Sequence, residues 1–190
     1  MAKRYKEMDP SKQQKCGPIV TTNFTVFWIC LCFIMELVAL GTNKWYVRQD
    51  KEIKFWHGGL WNQCLGEIDR TFCSYIRDTP AWLKATQSML LIALFSMFIN
   101  IIYIMVGIAR KSLRVSVMLG MTNFTTFFFL LGVIIYTAKG FSDIISPSTT
   151  YYVAWITVVF HVIAAILCVI SFMRVSKLSK KKSVDSGIRI

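Results

Sequence analysis

The sequence has 190 residues, a formal net charge of +12 and 55% hydrophobic residues, against roughly 45–50% apolar residues in soluble domains. The excess lies in four stretches almost free of charge, each long enough to cross a bilayer core about 30 Å thick as a helix. They cover residues 19–41, 89–109, 115–138 and 152–173. The pieces between them are too short to hold a soluble catalytic domain. The pattern predicts an α-helical membrane protein with four spans.

Basic residues are unevenly distributed between the pieces outside the spans. Lysine and arginine dominate residues 1–18, 110–114 and 174–190, whereas charges nearly cancel in 42–88 and 139–151. The positive-inside rule then predicts a cytoplasmic N-terminus, a basic cytoplasmic tail and two extracellular loops. The positive charge is explained by this topology and by attraction to anionic lipid, so no nucleic-acid partner is expected.

The first span is predicted to act as its own targeting signal, because it begins after 18 residues and lacks a small-residue cleavage site. Two Asn-x-Thr sequons begin at Asn23 and Asn123. Both lie at the edge of a span or inside one, so neither is expected to be glycosylated.

The six cysteines sort by compartment. Cys64 and Cys73 are the two cysteines of the large extracellular loop, which is an oxidising environment, and the sequence predicts a disulfide between them. Cys16 precedes the first span on the cytoplasmic side, where it is either a free thiol or a site of reversible palmitoylation. The remaining three lie inside spans and act as small apolar side chains.

The first extracellular loop has the pattern of a small antiparallel sheet. From Trp45 onward, short runs of aromatic and β-branched residues alternate with charged and glycine positions. So small a sheet needs a supporting surface, which the rim of the helix bundle and the side chains of Trp45, Trp56 and Trp61 can supply.

The first loop also resembles a known family signature, made of a tryptophan, then Gly-Leu-Trp-x-x-Cys, then a second cysteine. The matching residues are Trp45, Gly59, Leu60, Trp61, Cys64 and Cys73. This pattern is similar to that of the claudin superfamily, which includes claudins, epithelial membrane proteins, peripheral myelin protein, lens fibre membrane protein and calcium-channel gamma subunits. The segments 81–87 and 152–155 look more like the epithelial membrane and lens fibre branch than like classical claudins.

The resemblance implies a left-handed, all-α four-helix transmembrane bundle over residues 19–173, capped by a small extracellular antiparallel sheet. It also implies a multi-pass protein of the plasma membrane or cell junction that organises cell contacts or membrane domains through its first loop. Two alternatives stay open: a tight-junction strand component, and an auxiliary, gamma-like subunit of a channel or receptor. The expected partners are membrane lipid and a second copy, another superfamily member or a channel protein, in cis or in trans.

The chain ends in Ile190 without the tyrosine-valine ligand of classical claudins. Its apolar last residue suits a PDZ groove, in which a peptide adds a strand. The alternative, which we favour from sequence, is an unstructured basic tail.

Two polar residues inside spans are candidate sites. An intramembrane carboxylate such as Glu36 is a functional candidate by default, but it is also explained as a packing group bonded to Asn100 or Thr122. His161 has no cysteine, carboxylate or second histidine within a helical turn, which favours a packed, hydrogen-bonded histidine over a metal ligand.

An enzyme is not expected, since no catalytic, cofactor-binding or metal-binding residues can be assigned. The spans contain no reactive Cys-x-x-Cys and no aspartate, and His57 and His161 are the two histidines of the chain.

Trp61 is the candidate functional residue of the first loop, and two roles are considered for it. In the first role it anchors the sheet to the bundle, and Gly58 and Gly59 favour this role because they permit close backbone approach. In the second it presents an aromatic contact to a partner, and the interaction site is then Trp61 rather than the segment 49–55.

Overall fold

The computed structural model describes residues 10–49, 55–67, 70–76, 79–110, 114–141 and 145–185. Four long helices run through these residues, and each contains one of the four predicted spans. They are α1 (Pro10–Gly41), α2 (Ala81–Ala109), α3 (Val115–Lys139) and α4 (Thr149–Asp185). All four are long and apolar enough to cross a membrane. Only a helix or a closed barrel can satisfy its backbone hydrogen bonds in hydrocarbon, so uninterrupted apolar stretches of this length fold as helices.

Three helices extend well beyond the predicted spans. Helix α1 begins at Pro10, nine residues before the predicted first span, and α2 begins at Ala81 rather than near residue 89. Helix α4 continues to Asp185, so the first part of the basic tail is helical and the expectation of an unstructured tail is wrong there. The lysine-rich segment 177–182 favours helix by propensity, and it continues a span that is already nucleated.

The helices form a bundle in which α1 packs against α2 and α4, and α3 packs against α2 and α4. Buried side chains fall into two clusters along its length. One cluster lies near the sheet and includes Trp45, Leu60 and Tyr136. The other lies toward the end of the bundle at which α1 begins and α4 ends, and it includes Ile29, Met97 and Met118.

A five-stranded sheet lies at the opposite end of the bundle from the start of α1 and the end of α4. Its strands are β1 (Tyr46–Gln49), β2 (Phe55–Gly58), β3 (Asn62–Glu67), β4 (Arg70–Tyr75) and β5 (Ile145–Pro147). The order across the sheet is β4-β3-β2-β1-β5, and every neighbouring pair is antiparallel. The first four strands form the expected sheet of the first loop, and the fifth comes from the second loop.

Candidate functional site

Two tryptophans join the sheet to the end of α1. A helix leaves its last four carbonyls without intrahelical partners, and these must bond elsewhere. The Trp45 indole N–H donates to the carbonyl oxygen of Ala39 at 2.8 Å, and the Trp61 indole N–H donates to that of Leu40 at 2.9 Å. The hydroxyl of Thr42 donates to the Val38 carbonyl at 2.7 Å. The two motif tryptophans therefore cap the helix while they position the loop.

The turn between the tryptophans is held against the backbone of the bundle. A Cβ at Gly59 would lie 2.8 Å from the Cα of Asn43 and from the carbonyl oxygen of Thr42, so only glycine fits without backbone movement. Leu60 is buried in the core, and its carbonyl accepts a hydrogen bond at 2.5 Å from the side-chain amide of Gln87 on α2. The Gly-Leu-Trp segment is thus attached to both α1 and α2.

The predicted disulfide is present. Cys64 on β3 and Cys73 on β4 are directly opposite in the antiparallel register, with Cα atoms 4.0 Å apart, and they are bonded. The bond fixes the strand at the edge of the sheet to a strand next to the core.

Removal of this disulfide is expected to lower the free energy of unfolding by about 2.5–3 kcal/mol, the loop-entropy contribution of a ring of about ten residues. Because one bond is lost in each case, Cys64→Ser, Cys73→Ser and the double variant should show equal loss of surface delivery. Cys30→Ala, which changes a free cysteine of α1, is the control. Single variants that differ substantially from each other would contradict a bond within one chain.

A cavity of about 200 Å³ lies between the sheet and the bundle, lined by Tyr46 and Gln63 from the sheet and by Trp82 and Tyr136 from α2 and α3. Burial raises the pKa of the Tyr46 phenol above its usual value, while the nearby Arg48 acts in the opposite direction. Tyr46 therefore stays neutral at physiological pH. It contributes packing but no charge to this junction.

The outer edge of the sheet is β4, and it carries exposed aromatic side chains. Phe72 is 60% exposed and Tyr75 is 76% exposed. An edge strand presents unpaired N–H and carbonyl groups along one side, and aromatic residues are enriched where proteins meet. The other edge strand, β5, has three residues and ends in Pro147, so it offers little for pairing.

Glu36 and His161 meet inside the bundle, and both are fully buried. The Nε2 atom of His161 on α4 lies 2.8 Å from Oε1 of Glu36 on α1. The expected partners of Glu36, Asn100 and Thr122, bond to each other instead. The reason is the arrangement of the bundle, in which α1 lies along α4. The partner of His161 is Glu36, which the sequence did not indicate because it lies on another helix, 125 residues earlier in the chain.

The hydrogen bonds assign the protons of this pair. The Nδ1 atom of His161 lies 2.8 Å from the carbonyl oxygen of Thr157, which can only accept, so Nδ1 carries a hydrogen. A proton on either Nε2 or the carboxyl oxygen that faces it would make this contact favourable, because two unprotonated lone pairs at 2.8 Å repel each other. With that proton the pair is neutral as a whole. The ring of Phe129 stacks on the imidazole at 5.1 Å and closes the site from α3.

Further polar side chains pair across the helices, and sequence reasoning had not assigned these contacts. The side-chain amide of Asn100 donates to the hydroxyl of Thr122 at 3.0 Å, which joins α2 to α3. The hydroxyl of Thr125 donates to that of Ser96 at 3.0 Å. The hydroxyl oxygens of Thr25 and Ser171 are 3.1 Å apart and join α1 to α4. Such bonds hold transmembrane helices together, because the hydrophobic effect does not favour contact between helices over contact with lipid. The sequence pattern that indicates these contacts is the four-residue spacing of Ser96 and Asn100, which places both on one face of α2.

Other predicted sites are placed as follows. Within the described ranges, no group of three or more histidine, cysteine or acidic residues is close enough to hold a metal ion. Cys16 falls within α1, but its side chain lies outside the described part of the chain, and Ile190 lies outside it altogether. Asn23 and Asn123 are both in helices that can span a membrane.

Comparison with known proteins gives one family. The family model described as the PMP-22/EMP/MP20/Claudin family matches residues 19–173, which is most of the chain. A search of the curated proteins finds no match.

Proposed function

Because the chain belongs to the PMP-22/EMP/MP20/Claudin family, we propose that it organises cell contacts or membrane domains through the sheet of its first loop. The family consists of non-enzymatic membrane proteins that interact with lipids, with one another and with other membrane proteins. The proposal places the protein in the plasma membrane, at cell contacts, with both termini in the cytoplasm. The distribution of basic residues supports that orientation.

The observation that carries this role is the exposed aromatic edge formed by β4. The side chains of Phe72 and Tyr75 are largely accessible, although the strand is fixed by the disulfide through Cys73. A rigid strand presents its side chains with little loss of conformational entropy when a partner binds. The rest of the first loop supports this edge, because Trp45, Leu60 and Trp61 attach the sheet to the bundle.

The test is a double variant, Phe72→Ser with Tyr75→Ser, expressed in cells that lack junctions of their own. We expect normal surface levels, because neither side chain is buried, and a severalfold loss of enrichment at contacts between expressing cells. Tyr152→Ser is the matched control, since Tyr152 is also exposed but lies on α4. Unchanged enrichment in the double variant would exclude the β4 edge as the contact surface.

A further inference from the structure

Helix α3 has a polar residue on its lipid-facing side. Asn123 is exposed, whereas its neighbour Thr122 is buried and accepts a hydrogen bond from Asn100. Thr125 is likewise buried and bonded to Ser96. The amide of Asn123 forms no hydrogen bond with any residue that the structure describes. Its side chain therefore has no partner among the described residues of the chain.

The position of Asn123 lies within the hydrocarbon. It follows Val115 by eight residues, which corresponds to about 12 Å along the helix at 1.5 Å per residue. Sixteen residues separate it from Lys139 at the other end of α3. An asparagine side chain is too short to reach either interface from this depth. An unsatisfied amide in hydrocarbon costs several kcal/mol, so a partner outside the chain would be strongly favoured.

The surface around Asn123 allows another helix to approach closely. Ser116, Gly120, Asn123 and Phe127 are all exposed, and their spacing of four, three and four residues places them on one side of α3. No atom lies within 4 Å of a Cβ built on Gly120, so the space beside it is open. Small residues at such positions let helix backbones pack closely in membranes, and interhelical amide bonds then form. We call these four residues the α3 outer face.

We propose that the α3 outer face binds the same face of a second copy of this chain, with hydrogen bonds between the two Asn123 amides. An amide is complementary to itself, because its partially positive N–H groups match the partially negative carbonyl oxygen of another. Copies inserted with one orientation are related by a two-fold axis along the membrane normal. That symmetry brings residues of equal depth together, so Asn123 meets Asn123 and Gly120 meets Gly120.

The test measures self-association of the full chain in phosphatidylcholine vesicles by energy transfer between donor-labelled and acceptor-labelled copies, over a series of protein-to-lipid ratios. Asn123→Leu should weaken association about tenfold or more, corresponding to about 1.4 kcal/mol. Gly120→Leu should weaken it similarly by blocking close approach. Asn123→Gln, which keeps the amide, should retain most of the association. Val159→Leu is the control, because Val159 is a lipid-facing residue of α4 and is 55% exposed.

None of these variants should destabilise the single chain, since each changes a side chain that contacts lipid and Gly120 has open space beside it. A thermal unfolding measurement on each variant therefore separates lost association from lost folding. A wild-type chain that stays monomeric at all ratios would overturn the proposal. So would Asn123→Leu and Gly120→Leu variants that associate as the wild type does.

Discussion

Replacing Trp45 by alanine is expected to lower the free energy of unfolding by about 3–5 kcal/mol, the cost of removing a buried aromatic side chain from a core. Trp45 is completely buried, and its ring lies 4.7 Å from that of Tyr136 on α3. The substitution would also leave the carbonyl of Ala39 without its donor. Because these contacts join α1, α3 and the sheet, we expect loss of the whole junction, measured by unfolding in detergent micelles and by delivery to the cell surface.

Two further variants define the cause of this effect. Trp45→Phe keeps an aromatic ring but removes the N–H donor, so it should cost less than Trp45→Ala. Trp56→Ala is the matched control within the sheet, because Trp56 is only partly buried and has no hydrogen bond or ring contact among the described residues. If Trp45→Ala unfolded like the wild type, the tryptophan would not be the attachment point of the sheet.

Trp61 is expected to behave as a weaker form of the same anchor. It is partly buried, packs on the cluster near the sheet and donates to the Leu40 carbonyl. These contacts support the anchoring role over the partner-contact role. A Trp61→Ala variant with normal surface levels but lost cell contact would instead move the interaction site to Trp61.

The sequence was sufficient to predict the spans, the sheet of the first loop and the disulfide, because each depends on short-range information. A span needs only a long apolar stretch, and a loop disulfide needs two cysteines in an oxidising compartment. The helix ends were less predictable. Ala81–Gln87 includes the polar residues Lys84, Thr86 and Gln87, so hydropathy could not show that α2 begins there.

Contacts between distant segments could not be predicted from composition or periodicity. Strand β5 pairs with β1 from another loop, and the sequence gives no register for that pairing. The neighbour of Glu36 depends on which helices are adjacent in the bundle. Hydropathy identified Glu36 and His161 as unusual residues in separate spans, but it carries no information on which spans lie side by side.

The Glu36–His161 pair is expected to show strong non-additivity in a double-mutant cycle. His161→Phe keeps the stacking on Phe129 but leaves the Glu36 carboxyl buried without its partner, which should cost about 3–5 kcal/mol. Glu36→Met removes the group that faces Nε2 and should cost about 1–3 kcal/mol. The double variant should be more stable than the His161→Phe variant, because two apolar side chains of similar volume replace a neutral polar pair.

Glu36→Gln is the control that separates hydrogen bonding from volume. The glutamine amide can donate to Nε2 as the bridging proton does, so this variant should unfold almost like the wild type in detergent micelles. The expected order of stability therefore places Glu36→Gln above Glu36→Met, and the double variant above His161→Phe. Strictly additive losses would show that the two side chains are stabilised independently and that their contact does not join α1 to α4. The cycle thus tests the pairing itself, since a purely steric role for either side chain predicts no rescue by the second substitution.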